Sequence, residues 1–119
     1  MINGVHAIIY SKEAKRARTL FQDIFKLPSV DAGDGWLIFA LPPTELGIHP
    51  TEKDSSHEIF LMCDDIKTTV KELKGKGAEF TQSIKKETWG LLTYIRIPGG
   101  GKIGLYQPTH PTILQTNKR

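Results

Sequence analysis

Apolar and polar positions repeat along this chain at an offset of 52 residues. Residues 6–10 and 58–63 are short apolar runs, and each is followed by helix-capping residues and then by apolar positions at helical spacing. Phe21 and Leu73 hold matching places in the two helical stretches. A repeat of this length indicates that one small structural module is written twice.

Period-two alternation, interrupted by turn residues, fills the rest of each half. Gly33, Asp34 and Gly35 predict a turn in the first half, and the glycines after Pro98 predict one in the second. The pattern therefore predicts two βαβββ modules, residues 4–50 and 57–108, joined by a polar linker. The predicted strands are residues 6–10, a short strand near Val30, 36–41 and 45–49 in the first module, and 58–63, 79–83, 89–97 and 102–107 in the second.

Each predicted helix has its own start and stop signals. Ser11 can cap the first helix, which ends where Leu27 precedes a proline. Asp65 can cap the second helix, and Gly77 is placed to end it.

A chain of 119 residues that is 39% hydrophobic and 24% charged is typical of one soluble domain. We expect a single domain over residues 1–108 and a C-terminal tail over residues 109–119, which lack periodicity. A domain of this size that also holds an open pocket gains stability from pairing with a second copy. We therefore expect a homodimer.

The net charge and the cysteine content limit the binding partners and the cellular compartment that we expect for this protein. The net charge of +3 comes from Lys and Arg scattered over helices that need a solvated face, without interleaved aromatics, so we expect no nucleic-acid partner. Cys63 is the only cysteine, which fits a reducing cytoplasm. No signal pattern opens the chain, and its apolar runs are shorter than the ~18 residues that span a bilayer, so we expect no membrane partner.

Strands that are apolar on both sides must be covered on both faces, and one helix per module covers only one of them. The other faces of the two sheets should therefore enclose a pocket between the modules. By period two, the pocket-facing residues are His6, Ile8, Tyr10, Gly47, His49, Glu58, Phe60, Met62, Gly104 and Tyr106.

This set combines apolar wall residues with groups that can orient a ligand, so it predicts a small-molecule site. His6, His49 and Glu58 would also suffice to hold a divalent ion such as iron, manganese, nickel or zinc. In the alternative, His6 and Glu58 hydrogen-bond each other and the pocket contains no metal. Tyr106 is either a weak acid or base or a wall residue.

Residues 4–6 (GVH) open the first strand, residues 58–65 (EIFLMCDD) open the second module and residues 98–106 (PGGGKIGLY) close it. Together these three motifs resemble the vicinal oxygen chelate superfamily, which includes glyoxalase I, extradiol dioxygenases and bleomycin resistance proteins. The resemblance spans residues 4–108. It implies an α+β fold in which two βαβββ modules form an eight-stranded, open and incomplete barrel around a cleft.

The resemblance also implies where a metal would bind. In that superfamily the ligands lie on the first and last strands of each module, with His on the first, Glu on the fourth, His or Glu on the fifth and Glu on the eighth. His6 and Glu58 match the first and fifth strands, whereas Gly47 and Gly104 stand where the superfamily has Glu. His49, two residues beyond Gly47, would complete only a displaced ligand set.

Three functions remain open on the sequence. The first is a metal-dependent lyase or dioxygenase that acts on a small oxygenated molecule, with Glu58 and Tyr106 as catalytic groups. The second is a metal-free protein that sequesters an apolar or aromatic compound, as the bleomycin-resistance-like members do. The third is metal-free acid–base catalysis by His6 and Glu58. The pocket closes either within one chain or across an exchanged dimer.

Overall fold

The computed structural model of the chain describes residues 6–45, 52, 54 and 56–110. Within them the protein is α+β, with two sheets and two helices. No closed barrel forms in this part of the chain. The elements, in order, are α1 (Ala14–Thr19), which continues as a π-helical segment (Leu20–Ile24), β1 (Ser29–Asp31), β2 (Leu37–Phe39), β3 (Phe60–Met62), α2 (Ile66–Gly75), β4 (Lys85–Glu87), β5 (Gly90–Arg96) and β6 (Lys102–Pro108).

The second half has the predicted βαβββ order, and its four strands form one sheet in the order β3-β6-β5-β4. Strand β3 pairs in parallel with β6, with Phe60 opposite Gly104, and the other pairs are antiparallel. The predicted strand at 79–83 is reduced to a single bridge between Phe80 and Ile95, and the paired strand lies a few residues later, at β4. This module is otherwise as the sequence predicts.

Local signals account for the bounds of α2. The Asp65 side chain accepts a hydrogen bond from the Thr68 amide at 3.2 Å, as expected of a helix cap. Gly77, just past the helix, has a φ of 104°, a conformation that glycine adopts without a steric penalty. The Gln107 side chain accepts a further bond, from the Ile66 amide at 2.8 Å, and so ties the start of α2 to β6.

The first half is less regular than predicted. Strands β1 and β2 form a two-stranded antiparallel sheet, and the Asp31 carboxylate accepts bonds from the Gly33 and Gly35 amides in the turn between them. The predicted strand over residues 6–10 is not confirmed, because no described residue forms a ladder with that segment. Of the predicted strand 45–49, only Glu45 is described. The eight-stranded arrangement is therefore not confirmed.

The two halves meet at the glycine turn between β5 and β6. The Lys12 amide donates to the Gly99 carbonyl at 3.1 Å, and the Ser11 hydroxyl donates to the Pro98 carbonyl at 2.6 Å. Gly99 has a φ of 66° and lies against Glu13, so a side chain at this position would collide with the chain entering α1. The turn predicted from the glycines thus fixes the first helix on the second module.

One hydrophobic core lies between both helices and one face of the four-stranded sheet, which we call the helix face. As the alternation predicts, Leu61, Cys63, Ile103 and Leu105 point towards the helices. The buried members of the core are Ala17, Leu20, Phe21, Ile66, Ala78, Ile95, Ile97, Ile103 and Leu105. Across the described residues, no helix has the length and apolarity needed to cross a membrane.

Candidate functional site on the aromatic face of the sheet

The opposite face of the sheet carries four aromatic side chains, Phe60, Trp89, Tyr94 and Tyr106, which we call the aromatic face. Phe60 lies 5.8 Å, centroid to centroid, from both Tyr94 and Tyr106, and Trp89 lies 5.4 Å from Tyr106. The rings meet at tilts of 50–62°, the arrangement that aromatic quadrupoles favour. Three strands and the loop before β5 therefore build one continuous aromatic surface.

Two glycines allow these rings to lie directly on the sheet. At Gly104, a Cβ atom would overlap Cδ2 of Phe60 and lie 2.6 Å from its Cε2. At Gly90, a Cβ atom would lie 2.5 Å from Cε1 of Tyr106 and 2.7 Å from the Gln107 carbonyl oxygen. All three distances are shorter than van der Waals contact, so neither position accepts a side chain while its ring is in place.

The Tyr106 side chain is held by its hydroxyl as well as by its ring. The hydroxyl donates to the Trp89 carbonyl oxygen at 2.9 Å, and the residue is only 9% exposed. Burial, and then the negative charge of Glu45, raise the pKa of Tyr106 above its ordinary value. The hydroxyl is therefore protonated at neutral pH and is already engaged as a donor.

Tyr94 carries the charged edge of this surface. The ammonium group of Lys102 lies 3.9 Å from the centre of the Tyr94 ring, within the range of a cation–π interaction. Burial raises the pKa of Tyr94, and the charge of Glu58 raises it further. Glu58, which precedes β3, is thus electrostatically coupled to the aromatic face.

The structure brings together only some of the residues predicted to line the pocket. Phe60, Gly104 and Tyr106 meet on the aromatic face, and Met62 is half-buried on the same side of β3, opposite Tyr106. His6 and Glu58 are exposed, as are Ile8 (60%) and Tyr10 (85%). His49 and Gly47 lie outside the described residues. The metal-ligand and catalytic roles of His6, His49, Glu58 and Tyr106 stay predictions.

The described residues do not fit a divalent metal. No group of three His, Cys, Asp or Glu side chains forms a candidate metal site in the part of the chain that the structure covers. At Gly104, where the resemblance implies a carboxylate, the available space holds the Phe60 ring. Fitting the donor would require moving that ring.

Sequence reasoning missed two contributors to this face. Tyr94 was not assigned, although its place opposite Gly104 follows once the second-module strands are paired. Trp89, just before β5, is 42% exposed and packs on Tyr106. His110 also lies against the Tyr106 ring, at 5.7 Å between centroids.

A cleft of about 690 Å³ lies elsewhere, between α1 and the glycine turn at 98–101. Its charged groups form two exposed ion pairs, Arg16 with Glu13 and Arg96 with Glu79. These pairs cancel in charge, and none of the aromatic-face residues reaches this cleft. The aromatic face is therefore the better candidate site.

Solved structures with the same architecture come from several bacteria. TnmS3, an antibiotic binding protein from Streptomyces sp. CB03234, is 21% identical, with a TM-score of 0.66 over 91% of this chain and 98% of that chain. A glyoxalase/bleomycin resistance protein/dioxygenase superfamily member from Sphaerobacter thermophilus is 23% identical, with a TM-score of 0.60 over 89% and 98%.

The chain has the glyoxalase/bleomycin resistance protein/dioxygenase fold. Lactoylglutathione lyase from Agrobacterium tumefaciens also shares it, at 13% identity and a TM-score of 0.58 over 88% of this chain and 96% of that chain. Neither the protein-family profiles nor the curated proteins compared with the chain match it. At these identities the similarity establishes the fold, and the chemistry of the site has to be argued from this chain's own residues.

Proposed function

We propose that this protein binds a flat aromatic small molecule on the aromatic face, without a metal ion. The observation that supports this most directly is the set of four aromatic rings on one side of the sheet. Phe60 and Tyr94 are half-buried and Trp89 is exposed, so the surface retains ring area that a ligand can cover. A planar ligand would extend the tilted ring contacts already present.

The polar groups of the aromatic face are better suited to binding a ligand than to catalysing a reaction. The Tyr106 hydroxyl, engaged with the Trp89 carbonyl and kept protonated by its raised pKa, is a poor general base. Gly104 contributes space for a ring where a metal-dependent lyase or dioxygenase of this fold would need an oxygen donor. TnmS3, described as an antibiotic binding protein, is consistent with a binding role for the fold.

The test compares two ligands with the same carbon skeleton, 2-naphthol, which is aromatic and flat, and decahydro-2-naphthol, which is saturated and puckered. Each ring contact of this kind contributes about 0.5–1.5 kcal/mol beyond area burial, so we expect 2-naphthol to bind roughly tenfold more tightly. Isothermal titration calorimetry with and without a chelator gives both affinities. The affinity for 2-naphthol should be the same in the two conditions.

The chain's two tryptophans provide an internal control for the location of the ligand. Their indole N–H groups give separate NMR signals. The Trp89 signal should shift on titration with 2-naphthol, while that of Trp36, which is 69% exposed beside β2, should not. Equal affinities for the two ligands, a shift confined to Trp36, or binding that requires a divalent ion would each contradict the proposal.

A further inference from the structure

We infer that Phe60 is the specificity-determining residue of the aromatic face, because its ring takes the space that any side chain at residue 104 would need. The inference takes its ligand, a flat aromatic molecule, from the proposed function. Its steric argument comes from the contacts at Gly104. Phe60 and Gly104 are direct partners in the parallel pairing of β3 and β6. Only one of the two positions can therefore carry a large group.

The closest obstacle to a side chain at Gly104 is itself a side chain. The three nearest atoms to a Cβ at this position all belong to the Phe60 ring. The φ angle of Gly104 lies outside the left-handed region, so its backbone conformation suits any residue. Glycine is required here by the ring above it and not by the chain's conformation.

The ring also determines what the face offers to a ligand. Phe60 touches both Tyr94 and Tyr106 and so lies at the centre of the aromatic face. With the ring in place, the surface above Gly104 consists of aromatic carbon. Without it, a glutamate substituted at residue 104 would have room, and its carboxylate would then lie on the same face. The residue at position 60 thus decides between an aromatic surface and a donor surface.

Gly90 provides a matched contrast within the same sheet. A Cβ atom there would meet the Tyr106 ring and also the Gln107 carbonyl oxygen, which is backbone and cannot move aside. Replacing the Phe60 ring by a shorter side chain should therefore relieve the collision at residue 104. Replacing the Tyr106 ring should leave the collision of residue 90 with the Gln107 carbonyl. This difference separates ring exclusion from a general intolerance of alanine in these strands.

The first experiment measures thermal unfolding and needs no ligand. Overpacking costs enough that G104A should lower the Tm of the wild-type protein by about 4–10 °C. In the F60A background the same change should lower it by less than about 2 °C, since an unobstructed Gly→Ala change is close to neutral or stabilising. G90A should lower the Tm to a similar extent with or without Y106L. An equal Tm loss from G104A in both backgrounds would overturn the steric mechanism.

The second experiment measures ligand affinity with F60L, which keeps a branched apolar side chain and removes the ring. We expect the affinity for 2-naphthol to fall about tenfold. The control is F39L, because Phe39 packs on Phe21 in the helix-face core, and this variant should keep wild-type affinity while losing comparable stability. Unchanged affinity in F60L, with binding intact in the wild type, would overturn the inference alone. A wild type that binds neither naphthalene compound would overturn the proposed function and, with it, the specificity role.

Discussion

The two faces of the four-stranded sheet use the same strands for different purposes. On the helix face, Ile95, Ile103 and Leu105 are almost completely buried under both helices. On the aromatic face, Tyr94, Gly104 and Tyr106 alternate with those residues along the same two strands. Aliphatic side chains fill one side, while rings resting on glycines form the other. We therefore expect most of the stability to arise on the first face and the proposed ligand binding to depend on the second.

The variant I95A should have the largest effect on the helix face, because Ile95 is 0% exposed at its centre. Removing the side chain loses its burial and leaves a cavity, so the free energy of unfolding should fall by about 2–5 kcal/mol. Urea unfolding monitored by circular dichroism measures this loss. The affinity of the folded fraction for 2-naphthol should stay within about twofold of the wild type. A large fall in affinity would show that the two faces are not independent.

A smaller effect is expected from Y106F, which removes one hydroxyl from the aromatic face. The Trp89 carbonyl keeps a second donor, the Thr109 amide at 3.1 Å, so the loss should be about 1 kcal/mol at neutral pH. Because folding raises the pKa of Tyr106, the folded state holds the phenolic proton more tightly than the unfolded state does. The stability that results from this tighter proton binding is fully present below the ordinary pKa of 10.0, and it is lost as the pH rises through the raised pKa.

The pH dependence of stability distinguishes the effect of the Tyr106 hydroxyl from that of the protein's other titrating groups. The wild type should lose stability above about pH 10, and Y106F should lose less over the same range. The difference between the two proteins, measured by urea unfolding at neutral and at alkaline pH, should therefore shrink as the pH rises. Tyr94, whose pKa is raised in the same direction, is present in both proteins and does not affect the difference. A constant difference would contradict the assignment.

The second module could be predicted from the sequence because its signals are local. Alternation along residues 102–107, the Asp65 cap and Gly77 each act within a few residues, and the structure has the strand, the cap and the turn where they indicate. In the first module, the run at 6–10 has the same alternation, but a strand also needs a hydrogen-bonded neighbour. The described residues supply none, so alternation alone did not establish the strand.

The candidate site was only partly predictable, for a similar reason. The sequence placed Phe60, Gly104 and Tyr106 on one face, which period two determines. It did not reveal that the Phe60 ring covers Gly104, because that contact depends on the register between β3 and β6. Tyr94 joins the site through a second register, between β5 and β6. Strand pairing, which is non-local, was the missing information.

The smallest expected effect is that of K102M, which removes the ammonium group that lies on the Tyr94 ring while keeping a long apolar side chain. An exposed cation–π contact contributes about 0.5 kcal/mol, so the free energy of unfolding should fall by roughly that amount. K102R, which keeps a cation able to stack on the ring, should match the wild type. Urea unfolding of the three proteins in parallel resolves the difference. Equal loss in both variants would show that the contact depends on the ammonium geometry rather than on charge. Because I95A should cost several times more, the ranking of these variants tests whether stability lies mainly under the helices.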